Sequence, residues 1–121
     1  MAEEVSGFLQ NFRRIDGILG SFVLDNRGEI VSIDAEEALK GEACISGMGL
    51  MISEICMIAR KMGVGDIERH HVAFADKQFM IESLNGGFFL VICMTEDSSS
   101  QGRVRLEIRK NKKSLENALA V

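Results

Sequence analysis

The stretch from Ile15 to Ile33, IDGILGSFVLDNRGEIVSI, decides how the chain folds. Phe22, Val23 and Leu24 favour extended structure, and they run into Asp25-Asn26-Arg27-Gly28, residues suited to a tight turn. Glu29-Ile30-Val31-Ser32-Ile33 then alternates polar and apolar, as a returning strand does. Upstream, Val5, Phe8, Leu9, Phe12 and Ile15 recur at helical spacing across Glu3 to Ile15, with acids early and Arg13-Arg14 late, as the helix dipole prefers. Gly17 and Gly20 break that helix. The chain therefore opens as a helix followed by a hairpin, which points to a small α+β domain that presents surfaces.

Past the hairpin, Asp34 to Gly41 is a polar connector with room for one helical turn capped by Asp34. Glu42 to Met62 is predicted as a long second helix, stopped by Gly63 and Gly65. On a helical wheel, Cys44, Ile45, Met48, Met51, Ile52, Ile55, Cys56, Ile58, Ala59 and Met62 share an arc about 160° wide, the expected core face. Leu50 and Met57 sit opposite, among Ser46, Gly47, Gly49, Ser53, Glu54, Arg60 and Lys61. Two large apolar groups on the wet side ask for a partner. Gly47-Met48-Gly49 lacks the rest of a dinucleotide fingerprint and reads as close helix packing. Strand periodicity follows in Ile67 to Ala75, Gln78 to Leu84 and Phe88 to Thr95, separated by turn signals at Asp76-Lys77 and Asn85-Gly86-Gly87. The last of these is apolar on both faces and should be central, whereas Ile67 to Ala75 suits an edge. Glu96 to Gly102 reads as a mobile polar loop, and Arg103 to Leu119 as a closing helix.

Composition narrows the function. With 121 residues the chain is expected to form one domain, 1–121, that folds without disulfide or metal. A formal charge of −4, with no Trp or Tyr, argues against nucleic acid as a partner. Cys44, Cys56 and Cys93 lack CxxC spacing, lie in apolar runs and read as reduced structural thiols. The start lacks a signal peptide's pattern, and no apolar run is expected to approach the ~18 residues of a membrane span, so a cytoplasmic protein without membrane insertion is expected. His70 and His71 are adjacent on a strand and point to opposite faces, which prevents joint ligation of a metal. With no P-loop and no catalytic constellation, neither cofactor nor enzymatic activity is expected.

The order helix, hairpin, long helix, three-strand meander, helix resembles the roadblock family of dynein light-chain-like domains. The residues that carry the resemblance are Gly17 through Gly28, the small residues of the second helix, Asn85-Gly86-Gly87-Phe88-Phe89-Leu90-Val91, and Gly102-Arg103-Val104-Arg105-Leu106. It implies a roadblock/longin-like α+β fold, α-β-β-α-β-β-β-α, with a five-stranded antiparallel sheet, the second helix on one face and the terminal helices on the other. It further implies a homodimer joined through sheets and second helices, and a small Ras-like GTPase as partner, regulated or scaffolded without an arginine finger. The alternatives are a structural light-chain or complex-assembly module, and a small-molecule sensor of longin or profilin type. The expected interface comprises Ser46, Leu50, Ser53, Met57 and Lys61 on the second helix with His70 and Val72 on the edge strand. The basic last helix offers Arg105, Arg109 and Lys113 for charged docking.

Overall fold

A computed structural model describes residues 2–120. Helix α1 (Ala2–Arg13) leads into strands β1 (Ile18–Leu24) and β2 (Ile30–Ala35). A 3₁₀ turn (Glu37–Leu39) precedes α2 (Glu42–Met62), and β3 (Arg69–Ala73), β4 (Lys77–Leu84), β5 (Phe88–Thr95) and α3 (Gln101–Leu119) complete the chain. The five strands form one antiparallel sheet in the order β2-β1-β5-β4-β3. β5 is central because both its faces are apolar. Phe89, Val91 and Cys93 join the cluster under α2, while Leu90, Ile92 and Met94 join the cluster under α1 and α3. The sheet is thus covered on both sides, as the sequence implies.

The hairpin turn is closed by backbone bonds from the Asp25 amide to Glu29 and from the Gly28 amide to Asp25, and one side chain reinforces it. The Asp25 carboxylate accepts hydrogen bonds from the amides of Arg27 and Glu29 at 2.9 and 3.0 Å. Gly28 then turns at φ +81°, a conformation that side chains disfavour. Its backbone lies directly against α2: a Cβ added at Gly49 would come 2.9 Å from the Gly28 carbonyl oxygen and 3.1 Å from its Cα. Gly49 accordingly has the close-packing role expected of it. Gly47 does not, since a Cβ there would meet nothing within 4 Å.

Several boundaries differ from the sequence reading. α1 ends at Arg13, and Ile15 is buried in a turn beyond it. Gly20 lies inside β1, where a Cβ would come 2.5 Å from the Cβ of Ala35; the glycine admits the neighbouring strand. Asp34 is a β2 residue opposite Ser21 that faces Arg13 at 3.8 Å, so it caps no helix. β3 is shorter than Ile67 to Ala75, and α3 begins two residues before Arg103. The segment Glu96 to Gly102, expected to be mobile, is tied down. The buried Gln78 amide donates to the carbonyls of Thr95, Glu96 and Ser98, and the Ser100 hydroxyl donates to the Asp16 carbonyl.

Two outcomes follow for stability. Alanine is favoured over glycine in a helix by about 1 kcal/mol, but backbone overlap costs about 1 to 3 kcal/mol. Gly47→Ala should therefore raise the melting temperature by about 3–6 °C, and Gly49→Ala should lower it; equal rises would show that the hairpin does not press on α2. Asp25 has its carboxyl held below the ordinary range, chiefly by the Glu29 amide, against partial opposition from burial and with help from Arg27. A lowered carboxyl pKa stabilises above the unfolded value, about 3.9, and its contribution is lost as pH falls through the folded value. Asp25→Ala should cost about 1 kcal/mol near pH 7 by denaturant titration, with the gap to the parent closing below about pH 4.

Candidate functional site

α2 meets the sheet along a narrow stripe. Only Met48 and Ile52 are fully buried, with Cys44, Ile45, Met51, Ile55, Cys56 and Ala59 half-buried beside them. Leu50 is 64% exposed and Met57 38%, in keeping with their place opposite the core. Ile58 and Met62, assigned to the core face by the wheel, are instead 50% and 66% exposed. The reason is lateral: Gly49 seats the helix against the hairpin turn, and Met51, Ile58 and Met62 lie on the opposite flank of the helical wheel. By length and composition α2 could also cross a membrane, which corrects the expectation that no apolar run approaches that size. Its buried stripe nonetheless packs on the sheet.

The uncovered flank forms one side of an apolar groove of about 470 Å³, lined by Ala43, Cys44, Gly47, Met48, Leu50, Met51 and Glu54. Phe79 and Phe74 form the other side, their rings edge to face at 5.9 Å. Phe74 is 55% exposed and was not singled out in the sequence, although it continues the face of His70 and Val72 at strand spacing. Ser46, Ser53 and Lys61 are exposed along the crest with Leu50 and Met57.

β3 is an edge strand, as its alternation suggested. Val72 pairs with Phe79 and His70 with Ile81, which places both on the α2 side of the sheet. His71 pairs with Met80 on the opposite side and meets the Gln78 side-chain oxygen at 2.8 Å, so the two imidazoles diverge. Because the Phe74 amide donates to Lys77 and the Ser83 amide to Glu68, the even-numbered residues of β3 bond inward. The backbone groups of Arg69, His71 and Ala73 therefore face outward, open to another strand. Among the described residues, no three of His, Cys, Asp and Glu gather where a metal could bind.

On the other side of the sheet, Arg105, Ile108, Arg109 and Lys112 of α3 line a groove of about 320 Å³ with Arg69 and Glu82. Glu82 is buried between Lys112 at 2.9 Å and Arg69 at 3.4 Å. Arg105 and Arg109 are thus brought together as the basic run suggested, while Lys113 does not line the groove. Arg69 was missed, and its signal was the charge it places opposite Glu82 across the β3–β4 pair.

This architecture has close structural counterparts. A roadblock/LC7 domain from Streptomyces avermitilis superposes with a TM-score of 0.76 at 14% identity, covering 96% of this chain and 98% of that one. Myxococcus xanthus MglB gives 0.77 at 16% identity over 96% and 94%. Myxococcus xanthus MglC gives 0.67 at 15% identity over 98% and 99%. Neither a protein-family model nor a curated protein matches the sequence. The likeness establishes the roadblock fold.

The thiols divide by depth. Cys93 is buried in β5, and burial, with Cys44 beside it, pushes its thiol up to about 12. Cys44 and Cys56 are half-buried on α2, and burial raises the Cys56 thiol. An alkylating reagent at pH 8 should modify Cys44 and Cys56 slowly in the native protein and reach Cys93 only on unfolding. Mass spectrometry showing Cys93 modified in step with the other two would overturn its placement.

Proposed function

We propose that this chain is a non-enzymatic dimeric regulator or scaffold that binds a small Ras-like GTPase. The observation that carries the reading is the apolar flank and crest of α2, left uncovered beside the open edge of β3. Leu50, Met57, Ile58, Met62 and Phe74 expose large side chains on one side of the sheet, more than scattered surface residues account for. A second copy can cover that surface with its own α2 and extend the sheet through β3, a self-complementary contact. The GTPase comes from the roadblock resemblance, and a partner that covers switch loops can bias their conformation without supplying a catalytic side chain. Oligomerisation has a precedent among the structural counterparts, one of which is MglB in a tetrameric arrangement. A light-chain or assembly role without effect on nucleotide state would use the same surface and would leave hydrolysis and exchange rates unchanged.

Light scattering at micromolar concentration should give a mass roughly twice 13.3 kDa. Burying a leucine or methionine contributes roughly 1.5 to 3 kcal/mol, and placing carboxylates in the contact adds a desolvation cost. Leu50→Glu with Met57→Glu should therefore keep the circular dichroism of the parent, since neither side chain enters its own core, and should lose dimerisation or GTPase binding by more than about 100-fold. Unchanged assembly and binding in this variant would remove the α2 face from the mechanism. Hydrolysis and exchange rates of Ras-like GTPases, with and without the protein, then separate a regulator from a scaffold.

A further inference from the structure

The groove between α3 and β3 lies on the far side of the sheet from α2 and plays no part in the function proposed above. Residues 103–113 hold six cations and one acid, a charge of +5, so a chain of net −4 carries −9 elsewhere. Within the groove, Arg69, Arg105, Arg109 and Lys112 surround one acid, Glu82. That acid is occupied by Arg69 and Lys112. The two acids of α3 are also engaged elsewhere: Glu107 accepts from the Asn111 side chain, and Glu116 accepts from the Asn85 amide at 2.7 Å. Among the described residues, Arg105 and Arg109 form no ion pair, although both line the groove. We infer that this groove is a second docking site, which takes an extended acidic segment of a protein partner. Arg105 and Arg109 stand one helical turn apart, about 6 Å, and carboxylates at alternate positions of an extended strand are about 6.6 Å apart. Each guanidinium can then hold one carboxylate through paired hydrogen bonds. Nucleic acid and anionic bilayers are disfavoured because their extended fields also meet the −9 charge of the remaining surface.

The test is fluorescence anisotropy of the full chain with a labelled peptide of alternating glutamate and serine. Arg105→Glu with Arg109→Glu should weaken binding by at least about tenfold. Arg103→Glu with Lys110→Glu makes the same change in charge on the flank facing Asn11 and Arg14 of the first helix and its turn, and should alter binding less than about threefold. Binding of the parent should also weaken as salt rises. Equal losses in both variants would reduce the effect to the general charge of α3 and overturn the site. No binding of the peptide by the parent, or tighter binding of single-stranded DNA or phosphatidylserine vesicles, would overturn it as well. Circular dichroism and an unchanged oligomeric mass in both variants keep the result apart from the fate of the α2 surface.

Discussion

The backbone contact between Gly28 and Gly49 sets where everything on the α2 face of the sheet lies. Two backbones approach this closely only when neither residue carries a Cβ, and the close approach draws α2 towards the β1–β2 turn. Met48 then enters the cluster over β1 and β5, with Ile52 one turn further on. On the wheel, Gly49 stands about 100° to one side of Met48, while Met51, Ile58 and Met62 stand about 40° to 80° to the other. A helix pulled to the first side cannot bury the second. The exposed flank is a consequence of the seating, and a larger residue at either glycine would change which side chains the helix shows.

The two faces of the sheet are filled differently. Under α1 and α3 the cluster draws from both helices, and Leu9, Phe12, Leu115 and Leu119 are all buried there. Even the polar Ser21 is satisfied, donating to the Leu9 carbonyl at 3.0 Å. Under α2 a single helix faces the same width of sheet, so one helix does the covering that two do opposite. Two buried polar side chains tie the elements together: Gln78 holds the loop after β5, and Glu82 joins β3 to α3 through Arg69 and Lys112.

Much of this was legible in the sequence, for reasons that can be named. Hairpin turns announce themselves through residues such as Asp25 and Gly28, whose local bonding and backbone angle need no tertiary context. The double-sided apolar run of β5 announced its central position, and the opposition of Leu50 and Met57 to the core followed from period alone. The failures are the quantities that period does not contain. A wheel gives a direction from the helix axis, not where that axis rests on the sheet, so Ile58 and Met62 were assigned to the core. Gly20 read as a breaker because the Cβ of Ala35, on the partnering strand, is invisible until β1 and β2 are paired. Glu96 to Gly102 read as mobile because its anchor, Gln78, is about twenty residues away in sequence, and such bonds have no local signature.

The two edges of the sheet are not equivalent, and their difference shows what any partner strand must bring. β2 packs beneath α1 and is clasped by Arg13 on Asp34, with its side chains at least half-buried. β3 has five residues, mostly exposed, and turns outward the backbone groups of only three. A net gain of about 1 kcal/mol per hydrogen bond from so short a ladder is comparable to the cost of ordering the strand, so β3 cannot recruit a partner by backbone pairing alone. The neighbouring α2 flank can supply what the ladder lacks, because apolar burial contributes about 25 cal/mol per Å². A strand that arrived without an apolar surface to lay on Leu50, Met51 and Phe74 would gain too little to stay. In a partner that used both, the edge would fix the register and the flank would supply most of the binding energy.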